Sequence, residues 1–288
     1  KNMSVFIVIP CYNVKNKIYK VISRSLKYAD KIIIVDDKCP EQTGNYVKNI
    51  IKNKKILVIF NKKNLGVGGA TMIGYRTAIK LNAKVIVKMD GDGQMNPYHI
   101  PNLVKNIKGG KAGYCKGNRF FNKSVVNKMP LIRLVGNFIL SFLSKFSTGY
   151  WNIFDFTNGY TAISSHALKK ISFSNISKNF FFETDILYNL YLKNIKVIDI
   201  NIPAIYNNSK SNLKISNVFL YFLKGNIKNF IKRVYLMHLK KNFFKKIILL
   251  FLLTIPSYYY SIIFYEFIIL VLIFFILDFL KIPIRKND

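Results

Sequence analysis

Four short apolar runs rich in β-branched residues open the chain: Val5-Phe6-Ile7-Val8-Ile9, Ile32-Ile33-Ile34-Val35, Ile56-Leu57-Val58-Ile59 and Val85-Ile86-Val87. Between them the pattern turns helical, over Lys17 to Ala29, Gly44 to Lys52 and Gly69 to Leu81. Continuous apolar runs mark strands covered on both faces, and their alternation with helices predicts a parallel, doubly wound sheet. Ligands of such sheets bind beyond the carboxyl ends of the strands, which is where the polar clusters of this sequence fall. This α/β region is expected to occupy residues 1–210, with no internal repeat. The strand pattern starts within the first residues, so no signal peptide is expected.

Downstream the periodicity changes. Leu131, Leu134, Val135, Phe138, Ile139, Phe142, Leu143 and Phe146 make one apolar helical face, suited either to ordinary core packing or to contact with a lipid. Between Asn207 and Lys246 there are ten Lys/Arg and no acidic residue. Leu220, Leu223, Ile227, Phe230, Ile231 and Val234 recur there at helical spacing beside Lys224, Lys228 and Lys232. That pattern predicts an amphipathic interfacial helix within a basic juxtamembrane segment, 211–246. From Ile247 to Leu280 the chain is almost wholly apolar. As one helix it would run roughly 51 Å, too long for a hydrocarbon core of about 30 Å. Two short crossings turning near Pro256 to Ser261 fit better, a transmembrane hairpin at 247–280 followed by a basic tail at 281–288. Lys240, Lys241, Lys245 and Lys246 before it, and Lys281, Arg285 and Lys286 after it, place both ends in the cytoplasm. Glu266 is costly at mid-membrane and is expected near the turn. A buried hairpin in a soluble core is the alternative.

Composition sharpens this picture. Over 288 residues, 45 Lys/Arg face 13 Asp/Glu, a formal net charge of +32, in a chain that is 51% hydrophobic. So much apolar material excludes intrinsic disorder. The charge suits an anionic membrane and phosphorylated ligands; nucleic acid is not expected as a partner, because a DNA-binding helix has less reason to abut an apolar hairpin. A bias toward Lys, Asn and Ile codons accounts for part of it. Cys11, Cys39 and Cys115 form no CxxC pair, and the three histidines are scattered, so neither a disulfide scaffold nor a zinc centre is expected.

Carboxylates are scarce, yet four of the thirteen sit at two strand ends: Asp36-Asp37 and Asp90-Gly91-Asp92. The paired aspartates after the fourth apolar run offer hard oxygen ligands, which suit Mg²⁺ or Mn²⁺ bound together with substrate phosphates. Asp36-Asp37 is able to read a ribose or base edge, or to cap a helix. Gly66-Val67-Gly68-Gly69-Ala70 offers backbone N–H groups to an anion, or lets a helix pack closely.

Pro10-Cys11-Tyr12-Asn13, Val35-Asp36-Asp37, Asn64-Leu65-Gly66-Val67-Gly68-Gly69-Ala70 and Asp90-Gly91-Asp92-Gly93-Gln94, in this order, resemble the family 2 glycosyltransferases of GT-A fold. Gly117-Asn118-Arg119-Phe120, Phe154 to Tyr160 and Phe182-Glu183-Thr184-Asp185 are similar to motifs of the polyprenyl-phosphate branch, which includes dolichol-phosphate mannose synthases. The resemblance covers residues 4 to 215. It implies a Rossmann-like, mostly parallel GT-A catalytic domain. Pro10, Tyr12, Asp36, Asp37, Gly68 and Asp90 would line the nucleotide site, and Asp90, Asp92 and Gln94 would hold the divalent metal. Arg119 would face the acceptor phosphate, since carboxylates for a plain surface ion pair are few. The helix after these motifs would meet the lipid acceptor. Departures from the family pattern are Val14 for a Glu, Lys38-Cys39 for Gly-Ser, and Asn207 for a late Arg, whose place Lys210 or Lys214 would take.

The expected reaction moves a sugar from a nucleotide-sugar donor to a polyprenyl phosphate (undecaprenyl or dolichyl) or another lipid-linked acceptor, with inversion, at the cytoplasmic face of the membrane. A metal on Asp90 and Asp92 would offset charge on the departing diphosphate. A lipid phosphate needs little activation, because its second pKa lies near 6. Transfer to a sugar hydroxyl of a surface polysaccharide would need a base, with Asp185 or Glu183 as candidates; a structural pair at a helix start is the other reading of those two. A nucleotidyltransferase and a non-catalytic basic membrane-binding protein are the remaining alternatives.

Overall fold

The computed structural model describes residues 3–120, 131–202, 215–239 and 269. Two compact units divide the chain, 1–227 and 228–288. The first is built on a seven-stranded sheet in the order β3-β2-β1-β4-β6-β5-β7. Its strands are β1 (Val5–Cys11), β2 (Lys31–Asp36), β3 (Ile56–Phe60), β4 (Val85–Lys88), β5 (Tyr114–Asn118), β6 (Thr161–Ser164) and β7 (Val197–Asn201). β1 through β4 are mutually parallel, β5 pairs parallel with β7, and β6 runs antiparallel between β4 and β5. The sheet is therefore mostly parallel, as the alternating pattern predicts, and β6 is the exception.

Every residue of β1 is buried. Alternation explains how one strand feeds two cores: Phe6 and Val8 pack on one face with Ile33, Val35, Ala70, Tyr75 and Ile86, while Ile7 and Ile9 pack on the other with Ile18, Ile22, Ile34 and Val87. Helices α1 (Lys15–Ser25), α2 (Thr43–Ile50), α3 (Gly66–Lys80) and α4 (Ile100–Lys108) link these strands. In α1 the buried Ile18, Val21, Ile22 and Ser25 recur at three- and four-residue spacing, the stripe a helix needs to cover a sheet. At Gly74 of α3 a Cβ would lie 2.2 Å from Val8 Cγ1, so the absent side chain lets this helix sit directly on β1.

α5 (Leu131–Thr148) behaves differently. Its buried side is polar, with Ser141, Ser144, Lys145, Ser147 and Thr148, whereas Val135, Phe138, Ile139 and Phe142 are exposed, Phe138 to 64%. Ordinary core packing does not account for those four side chains. After α6 (Ser165–Lys169), α7 (Phe182–Leu192) and β7 comes α8 (Ile215–Val234). It repeats the inversion: Asn226 is buried and donates its side-chain amide to Phe222 O at 3.0 Å, while Leu220 and Ile227 are exposed. Ser147 Oγ donates to Asn226 Oδ1 at 2.5 Å, a polar contact between α5 and α8; Phe222 of α8 is buried, while Val135, Phe138, Ile139 and Phe142 of α5 and Leu220 and Ile227 of α8 are exposed. In the second unit, residues 228–234 complete α8, and a π-helical turn, Tyr235–Leu239, follows. The hairpin expected at 247–280 and the tail at 281–288 lie outside the described residues, apart from Ile269, as do Asn207, Lys210 and Lys214. Among the described residues no helix is long and apolar enough to cross a membrane.

Candidate functional site

Parallel strands of one sheet deliver their carboxyl ends to one edge, and the register Val8↔Lys88 sets the β1 and β4 ends side by side. There the chain encloses a cavity of about 680 Å³. Pro10 lines it from β1 with Tyr12 and Val14 just past that strand, Asp37 from just past β2, Gly66 and Val67 from the start of α3, and Lys88 from the end of β4 with Asp90 and Asp92 in the turn after it. Thr157, Gly159 and Glu183 add polar wall; Leu140 of α5, Phe180 and Phe222 of α8 add an apolar one.

The two neighbouring aspartates after β2 separate in role. Asp37 lines the cavity and accepts from Asn61 Nδ2 at 2.7 Å and Leu65 N at 2.9 Å, fastening the β3 end and the entry to α3. Asp36 turns away: its oxygens accept from Cys39 N at 2.7 Å and Gly44 N at 2.6 Å, so it caps α2 and stays out of the cavity. Asp36, expected at the nucleotide site, is thus placed at the start of α2 instead. Gly68, expected there too, is placed elsewhere. It is not a cavity residue, and a Cβ there would lie 2.6 Å from Phe182 Cβ and from Ser177 O. Gly69 N donates to Lys178 O at 2.9 Å. Gly68 and Gly69 thus serve close packing, against segment 177–182, while Asn64, Gly66, Val67 and Ala70 of the same loop face the cavity.

Asp90 and Asp92 both face the cavity, and among the described residues each has one oxygen without a hydrogen-bond partner. Asp90 Oδ1 pairs with Lys88 Nζ at 2.8 Å, and Asp92 Oδ1 accepts from Gln94 N at 3.0 Å. Burial, aided by the charge of Asp90, pushes the Asp92 carboxyl above its usual range. Gln94 is exposed and absent from the cavity wall; its backbone shapes the Asp92 turn. Among the described residues no group of three or more His, Cys, Asp or Glu is placed to hold a metal. Two carboxylates with one spare oxygen each, beside a cavity with room for a nucleotide, still fit Mg²⁺ or Mn²⁺. Such ions take one or two protein carboxylates and complete their shell with water and substrate phosphate.

The acidic pair at the start of α7 also divides. Glu183 lines the cavity, 3.5 Å from Lys88 Nζ. Burial pushes its carboxyl up to about 7, against the pull of Lys88 and Lys116. Asp185 instead accepts from Ser177 N at 2.7 Å and is not a cavity residue. Lys88, buried at the end of an otherwise apolar strand, was missed in the sequence. Its signal was there, since a lysine closing a buried strand requires counter-charges. Burial would lower the Lys88 ammonium, but Asp90 and Glu183 outweigh that and hold it well above its ordinary value.

Arg119 follows β5 and finds a carboxylate after all. Its Nε donates to Asp155 Oδ2 at 2.6 Å, its Nη2 to Asp155 Oδ1 at 2.7 Å and to Thr157 Oγ1 at 3.0 Å. Burial would raise the Asp155 carboxyl, yet the guanidinium brings it below the usual range. Thr157 lines the cavity and Arg119 does not, so the fork supports the wall from behind. Lys116 donates to Asn158 O beneath the same segment, and burial lowers its ammonium to about 8. Asp155 and Thr157 belong to a motif quoted above, but nothing in the sequence told their partners.

A family model described as Glycosyl transferase family 2 matches residues 6–172. A UDP-N-acetylglucosamine–dolichyl-phosphate N-acetylglucosaminyltransferase of Methanococcus voltae is 32% identical over 182 residues, covering 58% of this chain and 72% of that protein. An undecaprenyl-phosphate mannosyltransferase of Micrococcus luteus is 25% identical over 208 residues, covering 70% and 84%. Among solved structures, glucosyl-3-phosphoglycerate synthase of Mycobacterium tuberculosis, crystallised with Mn²⁺, uridine diphosphate and phosphoglyceric acid, superposes with a TM-score of 0.58 at 14% identity over 81% of this chain and 78% of that one. That likeness shows the GT-A-like fold. Matched by one model over more than half its length, and setting aside the nucleotidyltransferase and non-catalytic alternatives, the chain belongs to glycosyl transferase family 2 and is a glycosyltransferase.

Proposed function

We propose that this enzyme moves one sugar from a nucleotide-sugar donor to a polyprenyl phosphate at the cytoplasmic face of a membrane, with inversion. One observation carries the reading: a single cavity is lined both by the carboxylates Asp90 and Asp92 and by the apolar Leu140, Phe180 and Phe222. Leu140 and Phe222 sit on α5 and α8, the two helices that turn apolar side chains outward. A charged headgroup and an apolar tail fit such a site, and the names of the Methanococcus and Micrococcus relatives point to the same acceptor class.

Pro10, Tyr12 and Asp37 would receive the nucleoside, with Asp37 held in place by Asn61 and Leu65. Asp90 and Asp92 would hold the divalent cation, which supplies charge compensation for the departing diphosphate. The Mycobacterium neighbour, bound to Mn²⁺ and uridine diphosphate, supports a metal of this kind. Arg119 would act near the acceptor phosphate through the segment it braces. An acceptor phosphate is already largely dianionic at neutral pH and needs no protein base. The basic α8, with the apolar stretch at 247–280 as two crossings, would keep the site at an anionic membrane surface.

Incubating the purified chain with radiolabelled UDP- and GDP-sugars, Mn²⁺ and undecaprenyl or dolichyl phosphate tests this. An acid-labile, lipid-extractable product is expected, and its absence across the panel would count against the acceptor. A second reading, transfer to a sugar hydroxyl, gains from Glu183, a cavity carboxylate with its pKa near 7, in the range of a general base. It predicts a product only when a glycosylated lipid is supplied.

A further inference from the structure

Lys88 is the one cation among the described residues that line the cavity, and its side chain is almost wholly buried. Strand alternation sends it to the face that carries Ile86, toward α3 and α7. There Nζ lies 2.8 Å from Asp90 Oδ1, 3.5 Å from Glu183 Oε1 and 5.4 Å from the centre of the Phe182 ring. We propose that Lys88 is a positioning residue for the metal-binding carboxylates: it holds Asp90 by one oxygen, leaves the other turned to the cavity, and couples Asp90 to Glu183 on α7. The inference rests on the metal-dependent transfer proposed above.

Two features argue for a built seat rather than a space-filling side chain. A Cβ at Gly159 would lie 2.2 Å from Lys88 Nζ, 3.0 Å from Glu183 Oε1 and 3.5 Å from Asp90 Oδ2, so the backbone of the 154–160 segment is shaped around these three charges. An ammonium has three donors and no acceptor, so one lysine can serve both carboxylates at once, whereas the methionine of Lys88→Met has no donor for either. Asp90 Oδ2, by contrast, has no hydrogen-bond partner among the described residues. A carboxylate tied at one oxygen presents the second in a fixed direction, and Glu183 then acts on the metal site without touching the metal.

The test measures UDP and GDP binding by calorimetry across a Mn²⁺ titration, for wild type, Lys88→Met, Lys88→Arg, Glu183→Gln and the Lys88→Met/Glu183→Gln double variant. Groups standing behind metal ligands typically alter metal affinity about 10- to 100-fold. Lys88→Met should therefore raise the Mn²⁺ concentration for half-maximal binding at least about 10-fold, Lys88→Arg should recover most of it, and the double variant should be no worse than the poorer single. A folded Lys88→Met with the wild-type Mn²⁺ midpoint overturns the proposal, as does strict additivity. An equal loss of nucleotide affinity with and without Mn²⁺ also overturns it, because Lys88 would then touch the nucleotide directly. If Lys88→Met does not fold, Gly159→Ala and Glu183→Gln decide, and an unchanged midpoint in both overturns it. Wild type binding neither nucleotide in a metal-dependent way would refute the proposed function itself, and this inference with it.

Discussion

Replacing Asp155 with Asn attacks a two-pronged, buried ion pair while preserving its shape. The Asp155 side chain is 0% exposed and that of Arg119 23%. Three N–H groups of Arg119 converge on the carboxylate: the backbone N at 3.1 Å, Nε at 2.6 Å and Nη2 at 2.7 Å. An amide has only one acceptor oxygen. Whichever way it is flipped, its NH₂ meets at least one arginine donor head-on, and the guanidinium loses its counter-charge. Breaking a buried pair from one side costs about 3–5 kcal/mol, and the partial exposure of Arg119 puts the expected loss at the low end, about 3 kcal/mol. For a domain of this size that corresponds to a fall of about 6–12 °C in Tm.

The pH dependence of the Asp155 pair has a definite sign. The Asp155 pKa is lower in the fold than in the unfolded chain, so the pair stabilises fully above the unfolded value near 3.9 and its contribution fades as pH drops toward the folded one. Thermal unfolding of wild type and Asp155→Asn at pH 7, 5 and 3.5 should show a constant gap at the first two and a smaller gap at the third. A variant melting within about 2 °C of wild type at pH 7, or a gap that persists undiminished in acid, would refute the reasoning.

Asp199 gives the opposite expectation. Its Oδ2 accepts from Asn118 Nδ2 at 2.7 Å and Phe154 N at 2.9 Å, while its buried Oδ1 has no partner among the described residues, and burial lifts its carboxyl to about 6. A raised carboxyl pKa means stability present below the unfolded value near 3.9 and lost as pH climbs through 6, so Asp199→Asn should lie within about 1 kcal/mol of wild type at pH 7 in denaturant unfolding and remove that slope. Asp92→Asn should cut transfer at least about 10³-fold with Tm unchanged within a few degrees; Asp90→Asn should cut it as far and also lower Tm, because it strips the buried Lys88 of its 2.8 Å partner. Chelation by EDTA should abolish transfer by wild type to the same extent, and retention of transfer in any of these cases would contradict a metal role. Phe138→Ser with Phe142→Ser on the outward face of α5 should leave Tm nearly unchanged, because both side chains are already exposed, yet raise KM for a long-chain polyprenyl phosphate relative to a short soluble analogue. Equal effects on both acceptors would argue against a lipid-facing helix.

Much of this molecule is local enough to be read from the chain. The four β-branched runs became β1 to β4 because a strand covered on both faces must be apolar throughout, and the scarce carboxylates at their ends marked the cavity. Asp90 and Asp92 belong to that class, since a two-residue spacing on a glycine turn constrains both to one neighbourhood. What adjacency could not reveal was direction. Asp36 and Asp37 are neighbours, yet one caps α2 and the other faces the cavity; Glu183 and Asp185 divide in the same way. Partners distant in sequence were equally hidden: Lys88 meets Glu183 95 residues away, and Arg119 meets Asp155 36 residues away. Hydrophobic periodicity announced an apolar face on α5 but not whether it points in or out, because a helical stripe has the same spacing in a core and against a lipid. Only the packing of Ser147 against Asn226 settled that, by spending the polar side of the helix on its neighbour and leaving the apolar side outward. Sequence patterns act through the few residues nearest along the chain, whereas orientation and charge pairing depend on which elements the tertiary structure brings together.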